Sequence, residues 1–224
     1  MSINNIFIQA RLNSKRLKNK LMLMINNKPV IYWVYYRVKK TSNFNKLIFV
    51  IPDTPENDPL YDYLQALDVK IFRGSEKNFV KRFYDAVKLF PCDNVIRVCA
   101  DNPFICHKEI DKLINFFCDN ECDLAFNNIP YKNNYPDGLG AEICKSKLIS
   151  QLNEKNLNND EKEHIFNYVK NNETKYTIKT FDPDNEIACS NLKLDIDTIK
   201  DYNKISKHKV DIDMDGKMIV EEFR

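Results

Sequence analysis

Arg11, Ser14, Lys15, Arg16, Lys18 and Lys20 fall within ten consecutive positions that hold no acidic residue. Guanidinium and ammonium groups make charge-assisted hydrogen bonds to phosphate oxygens, so five cations and a hydroxyl this close together could hold a polyphosphate. A run of like charge is also commonly a solvated loop. Position favours the first reading. The run follows directly on Ile6, Phe7 and Ile8, an apolar stretch too short for a helix that reads as a buried strand. In an open α/β sheet, ligands bind just beyond the carboxyl ends of the strands.

Two carboxylates stand in comparable places. Asp101, in Cys99-Ala100-Asp101-Asn102-Pro103, and Asp197, in Leu194-Asp195-Ile196-Asp197-Thr198, each follow an apolar run. Mg²⁺ is typically held by one or two carboxylates together with substrate phosphates. Two such aspartates could meet at one sheet edge and face the basic loop. Read from the residues alone, each is equally well explained as a helix N-cap, since both precede helical patterns and Asp is a favoured cap.

Positioning these groups requires a sheet. Short apolar runs at 6–8, 47–51, 69–72, 95–99, 123–126 and 141–144 read as strands. Between the first five lie helical spacings: Ile31, Val34, Tyr35 and Val38; Leu60, Leu64 and Leu67; Phe79, Phe83, Val87 and Phe90; Ile110, Leu113, Ile114 and Phe117. Strands alternating with helices predict an α/β fold with a Rossmann-like, doubly wound, mostly parallel sheet and a small additional β element. The G-x-G-x-x-G fingerprint is missing, so a dinucleotide cofactor is not indicated. The pattern breaks into a polar loop over 127–140, and long loops inside compact domains are often functional. A helical stretch is expected over 161–169, strands over 176–180 and 192–196, and a last helix over 198–207.

The 224 residues fit one domain, 1–224, long enough to bury a sizeable core. A hydrophobic share of 43% and a charged share of 29% describe an ordinary globular protein. Net charge of +2 argues against a nucleic-acid partner. No apolar run approaches a membrane span, and no signal peptide is visible. Seven cysteines without a C-x-x-C pair read as reduced residues of a cytoplasmic protein. Cys118 and Cys122 lack a nearby His to complete a zinc set.

In order along the chain, Gln9-Ala10-Arg11 with Ser14, Arg16-Leu17 and Lys20 resembles the nucleotide-binding signature of cytidylyltransferases of the CMP-Kdo synthetase group, and especially the spore-coat-polysaccharide type. Those proteins usually carry Gly where Asn13 stands and Pro-Gly where Lys18-Asn19 stands; Asn is the next best residue at positive φ. Ala100-Asp101-Asn102-Pro103-Phe104-Ile105 resembles the family's Ala-Asp-x-Pro-Leu-Ile segment, which makes Asp101 a metal ligand and a nucleotide contact. Ile196-Asp197-Thr198, with Asp201 further on, resembles its Val-Asp-Thr-Pro-Glu-Asp segment, which makes Asp197 the second ligand and leaves Asp195 as a supporting carboxylate. Gly74-Ser75 and Arg82-Phe83-Tyr84 resemble segments on the nucleotide side, which implies roles for Ser75 and Arg82. Tyr135-Pro136-Asp137-Gly138-Leu139 resembles the loop on the sugar side, implying Asp137, Gly138, Glu142 and, through Glu163-His164, His164. Gly140 departs from the family's usual acidic residue. The resemblance implies a nucleotide-diphospho-sugar-transferase fold, a homodimer, Mg²⁺, CTP and a small sugar. Arg11, Lys20, Asp101 and Asp197 would be the catalytic groups.

Alternatives remain at this stage: a nucleotide-sugar-dependent glycosyltransferase, or a non-catalytic nucleotide-binding partner protein. At the end of the chain, Asp211, Asp213, Asp215-Gly216 and Glu222 have the spacing of a calcium-binding EF-hand loop. Val210, Ile212 and Met214 alternate as in a strand and Asp215-Gly216 is a hairpin signal, so a terminal hairpin or dimer-interface strand is preferred.

Overall fold

The computed structural model describes residues 2–224. The first apolar run is β1 (Asn4–Gln9), followed by a short antiparallel pair, β2 (Met24–Ile25) and β3 (Lys28–Pro29). Asn26 and Asn27, both at positive φ, make the tight turn between β2 and β3, as a two-residue hairpin requires. Then come α1 (Val30–Val38), β4 (Lys46–Pro52), α2 (Asp58–Gln65), β5 (Lys70–Gly74), α3 (Phe79–Leu89), β6 (Asn94–Cys99), α4 (His107–Asp119) and β7 (Leu124–Phe126). After the polar loop follow β8 (Glu142–Lys145), α5 (Ser146–Asn153), α6 (Asn159–Glu163), α7 (Asn167–Lys170), β9 (Ile178–Lys179), α8 (Ile199–Ile205) and α9 (Gly216–Phe223).

Seven strands form one sheet in the order β5-β4-β1-β6-β8-β7-β9. It is mostly parallel; β8 alone runs against its neighbours β6 and β7. Successive residues of a strand point to opposite faces. Accordingly Ile6 and Ile8 join one core with α1, α2, α4 and α9, while Phe7 joins a second with α3, α5 and α7. From β1 the chain winds outward through β4 to β5, then returns to pair β6 on the other side of β1. That reversal is the topological switch point, where open α/β sheets form their crevice.

Several expectations are corrected. The run 192–196 is not a strand of the sheet; it touches the polar loop through a single bridge between Asp137 and Lys193. Leu148, Ile149 and Leu152, unread in the sequence, bury one face of α5. The stretch 161–169 divides into α6 and α7. The C-terminal hairpin is a helix: Asp215 caps α9 by accepting from Met218 N at 3.1 Å, and Ile219, Val220 and Phe223 are buried. Buried Arg37 fixes the approach to α9, donating to the carbonyls of Ile212 and Met214 on one side and Phe104 and Ile105 on the other. The small additional β element is therefore β2–β3, and the tail offers no edge strand from which association could be argued. Nor do its acidic residues converge. Asp213 pairs with Lys40 and Tyr36, Asp215 caps α9, and Glu222 faces His208.

Candidate active site

A cleft of about 530 Å³ opens beyond the carboxyl ends of β1 and β6. From the segment after β1 come Gln9, Ala10, Arg11, Ser14, Arg16 and Lys20; from the end of β6, Asp101; from the polar loop, Asp137; and from beyond α6 and before α8, His164 and Asp197. These ten expected site residues are brought together.

Two local features shape the basic segment. Asn19 takes the left-handed conformation (φ 56°) in place of the family's glycine, which lets the chain turn into the short 3-10 turn Lys20–Met22. Asn13, by contrast, is not at positive φ; its side chain binds Glu76. Lys18 is exposed and does not line the cleft, whereas Lys20 is 7% exposed and does. The Lys20 ammonium lies 2.6 Å from Asp101 Oδ2 and 3.2 Å from Asp197 Oδ1, and Arg16 Nη2 lies 2.8 Å from Asp197 Oδ1.

The cap alternative fails for both aspartates. Helix α4 starts at His107 and its N-cap is Cys106, well past Asp101. Helix α8 is capped by Thr198 in a capping box with Asp201, which also accepts from the Asp197 amide at 3.1 Å. The Asp197 carboxylate is thereby free to face the cleft. Burial pushes the Asp197 carboxyl up, but the Lys20 ammonium and its hydrogen bond, with Arg16 and Lys193 beyond, hold it below its ordinary value. Asp195 has only the more distant Lys193 ammonium, at 3.6 Å. Burial, followed by the Asp137 charge, pushes it up to about 7, and burial likewise raises Asp137.

Four expected residues do not line the cleft. Ser75 Oγ accepts from Asn78 N, and its carbonyl accepts from Arg82 Nη1 at 2.7 Å. Arg82 is fully buried under the Phe79 ring, 4.0 Å from its centroid, beside a smaller pocket formed by Arg11, Asn13, Glu76 and Asn159. Gly138 supports the site through its backbone: at φ +92° a Cβ would lie 3.0 Å from the Asp195 amide. Glu142 is 2% exposed and pairs with Arg97 and Lys170, which hold its carboxyl down near 2 against the opposing effect of burial. The structure also accounts for Gly140: a Cβ there would overlap the Asn127 side chain and carbonyl, so the family's acidic residue has no room.

Arg97, Cys99, Asn128 and Ile129 line the cleft without having been singled out in the sequence. For Arg97 a signal existed: it is the one charge inside the apolar run 95–99. Glu163, the partner of Arg11 at 3.1 Å, lies next to His164 on the same rim.

Residues 6–219 match the family described as Cytidylyltransferase. The spore coat polysaccharide biosynthesis protein SpsF of Bacillus subtilis is 25% identical over 203 residues, 88% of this chain and 82% of its own length. Among solved structures, a cytidylyltransferase from Leptospira borgpetersenii superposes with a TM-score of 0.89 at 26% identity, covering 99% of this chain and 93% of that one. A CMP:2-keto-3-deoxy-manno-octonic acid synthetase in complex with CTP gives 0.69 at 16% identity, over 92% of this chain and 98% of the other, and shares the fold.

Proposed function

The chain belongs to the cytidylyltransferase family, and from that premise we propose that it is a Mg²⁺-dependent enzyme that transfers CMP from CTP to an acidic or otherwise modified sugar, releases pyrophosphate, and serves surface-polysaccharide assembly. The observation that carries this reading is the meeting of Asp101 and Asp197 at the Lys20 ammonium, in a cleft that the cations Arg11, Lys15 and Arg16 of the first loop also line. The sugar class is supported by what the relatives' names say of them: one works in spore-coat polysaccharide biosynthesis, another joins CMP to a sugar acid.

In the reaction proposed, a sugar hydroxyl oxygen attacks the α-phosphorus of CTP in line. The bond to the β-phosphate oxygen breaks, and pyrophosphate leaves with the electron pair. Positioning and charge stabilisation do most of the work in such transfers. Arg11, Ser14, Arg16 and Lys20 would hold the triphosphate, the arginines by paired N–H groups and Lys20 as a point charge. Asp137 and His164, which also line the cleft, would meet the sugar.

The donor set fits a hard divalent cation. Asp101 and Asp197 already share one cation, the Lys20 ammonium, and each keeps a second carboxylate oxygen that Lys20 does not engage. These two aspartates would hold Mg²⁺ with phosphate oxygens of the substrate. Bound there, it would neutralise charge on the reacting phosphate.

A pyrophosphate-release screen of CTP, UTP, ATP and GTP against neutral and acidic sugars, with and without Mg²⁺, tests the reading. Release confined to CTP, dependent on Mg²⁺ and on a sugar, is the expected result. Release without any sugar, or nucleoside diphosphate as the product, would contradict it.

A further inference from the structure

A row of polar side chains crosses the otherwise apolar second face of the sheet. Glu142 on β8 stands directly opposite Arg97 on β6, and Arg97 reaches Gln9 at the end of β1. Lys170 of α7 closes the far end on Glu142 at 2.9 Å. Charges buried in a sheet face are costly to desolvate, and an apolar row would be the cheaper way to pack α3 and α7 here. One carboxylate between two cations also leaves the row with a net positive charge. Such a row calls for a purpose beyond packing.

The hydrogen bonds show what the row presents. Arg97 donates from Nε to Gln9 Oε1 at 2.7 Å and from Nη1 to Glu142. Its Nη2 has no protein partner among the described residues and, unlike the Nη2 of Arg82, is not sealed from the cleft. Gln9 spends its amide oxygen on Arg97, which leaves its Nε2 donors without a protein partner among the described residues. Arg97 and the Gln9 amide thus bring hydrogen-bond donors to the floor of the cleft between β1 and β6.

We propose that Arg97 and Gln9 form an oxyanion subsite on the cleft floor, with Glu142 and Lys170 as positioning residues that hold Arg97 and, through it, the orientation of the Gln9 amide. Donors on a row with net positive charge pair with a group that only accepts: a carboxylate or a phosphate. The inference rests on the cleft being a nucleotidyltransferase site, where two sources of that chemistry exist, the α-phosphate of the nucleotide and a carboxylate on the sugar. Arg97 selects between charged and neutral forms of whichever group lies on the floor.

Direct binding tests this without requiring turnover, so that failure of the proposed reaction and failure of the subsite read differently. Calorimetry compares CMP with cytidine, and 2-keto-3-deoxy-manno-octonic acid with its carboxyl-reduced alcohol, on the intact chain and on Arg97→Met. Glu142 keeps Lys170 in this variant, so the buried carboxylate is not stranded. The variant is expected to lose at least about tenfold of one anion-over-neutral preference. Loss for CMP assigns the subsite to the α-phosphate; loss for the sugar acid assigns it to the acceptor. A purely structural role would weaken charged and neutral probes alike. Gln9→Leu leaves all three charges in place and serves as the second variant should Arg97→Met fold poorly. If both variants keep both preferences within twofold of wild type, or if wild type has neither preference, the subsite does not exist.

Discussion

The amide of Ile196 donates a 2.9 Å hydrogen bond to the carbonyl of Asp101. This contact, between segments nearly a hundred residues apart, sets the Asp197 carboxylate beside that of Asp101. It is supported from the polar loop, where Asp137 and the run 192–194 exchange backbone hydrogen bonds of 2.9 Å in both directions. The pairing of the two aspartates is thus built by main chain, before any side chain or ion contributes.

Arg16 and Lys20 should separate in their effects. Charge-assisted phosphate contacts are worth about 1.5–3 kcal/mol each, so either alanine variant should weaken CTP binding about tenfold or more. Arg16 is largely exposed, and its loss should leave stability unchanged. Lys20 is buried against two carboxylates, and its removal should also lower the melting temperature. Calorimetry and a thermal melt check both; unchanged CTP affinity in the two variants would place the triphosphate elsewhere.

Gly138→Ala should damage the site from a distance. The left-handed φ of +92° costs a side chain about 1–3 kcal/mol, and the new Cβ would press on the Asp195 amide. Because residue 195 leads into Asp197, kcat should fall more than CTP affinity. Wild-type kcat and melting temperature in this variant would show that the turn tolerates a side chain.

Glu142 links the buried row to pH. Its carboxyl falls from the ordinary 4.5 to about 2 in the folded chain. A depressed carboxyl stabilises the fold above its unfolded value, and that contribution is lost as pH drops from 4.5 toward 2. The shift corresponds to about 3 kcal/mol. Urea unfolding from pH 7 to 3 should show stability falling with acid in the wild type and a shallower fall in Glu142→Gln, which starts several kcal/mol lower because Arg97 and Lys170 lose their shared partner. Parallel curves for the two proteins would remove Glu142 as the titrating group.

Much of this was legible in the sequence. Strands β1, β4, β5, β6 and β7 and helices α1 to α4 follow from periodicity, and Ile6 and Ile8 against Phe7 show the two-faced burial that a doubly wound sheet demands. The basic loop and the two aspartates stood out by their place just past short apolar runs, and for the aspartates the family resemblance, not the residues alone, favoured a ligand over a cap. The tail misled because Val210, Ile212 and Met214 alternate like a strand while Asp215-Gly216 mimics a hairpin turn. The same aspartate is a helix cap, and only the spacing of Ile219, Val220 and Phe223 betrayed the helix. The burial of Glu142 between Arg97 and Lys170 was not legible, because those partners lie on other strands and helices of the fold.

Truncation after Lys209 therefore carries a different expectation from loss of an edge strand. It removes four core side chains, Val210, Ile219, Val220 and Phe223, and two carbonyl partners of buried Arg37. Each large core side chain contributes about 2–5 kcal/mol, so the shortened chain should fail to give a cooperative melt. Ca²⁺ should leave the melting temperature of the intact chain where Mg²⁺ leaves it, since the acidic side chains face separate partners. A well-folded truncated chain, or a Ca²⁺-specific rise lost in Glu222→Gln, would contradict this account of the tail.

The central claim is that Asp101 and Asp197 work as a pair in CMP transfer, and ³¹P NMR of the complete reaction measures it most directly. With CTP, Mg²⁺ and a competent sugar, the wild type should convert the triphosphate signals into one phosphodiester and one pyrophosphate in equal amounts. Asp101→Asn and Asp197→Asn, which cap no helix, should keep the wild-type melt and lose about a hundredfold or more of this rate. A folded variant of either kind turning over at near-normal rate in saturating Mg²⁺ would show that the two carboxylates meet without taking part.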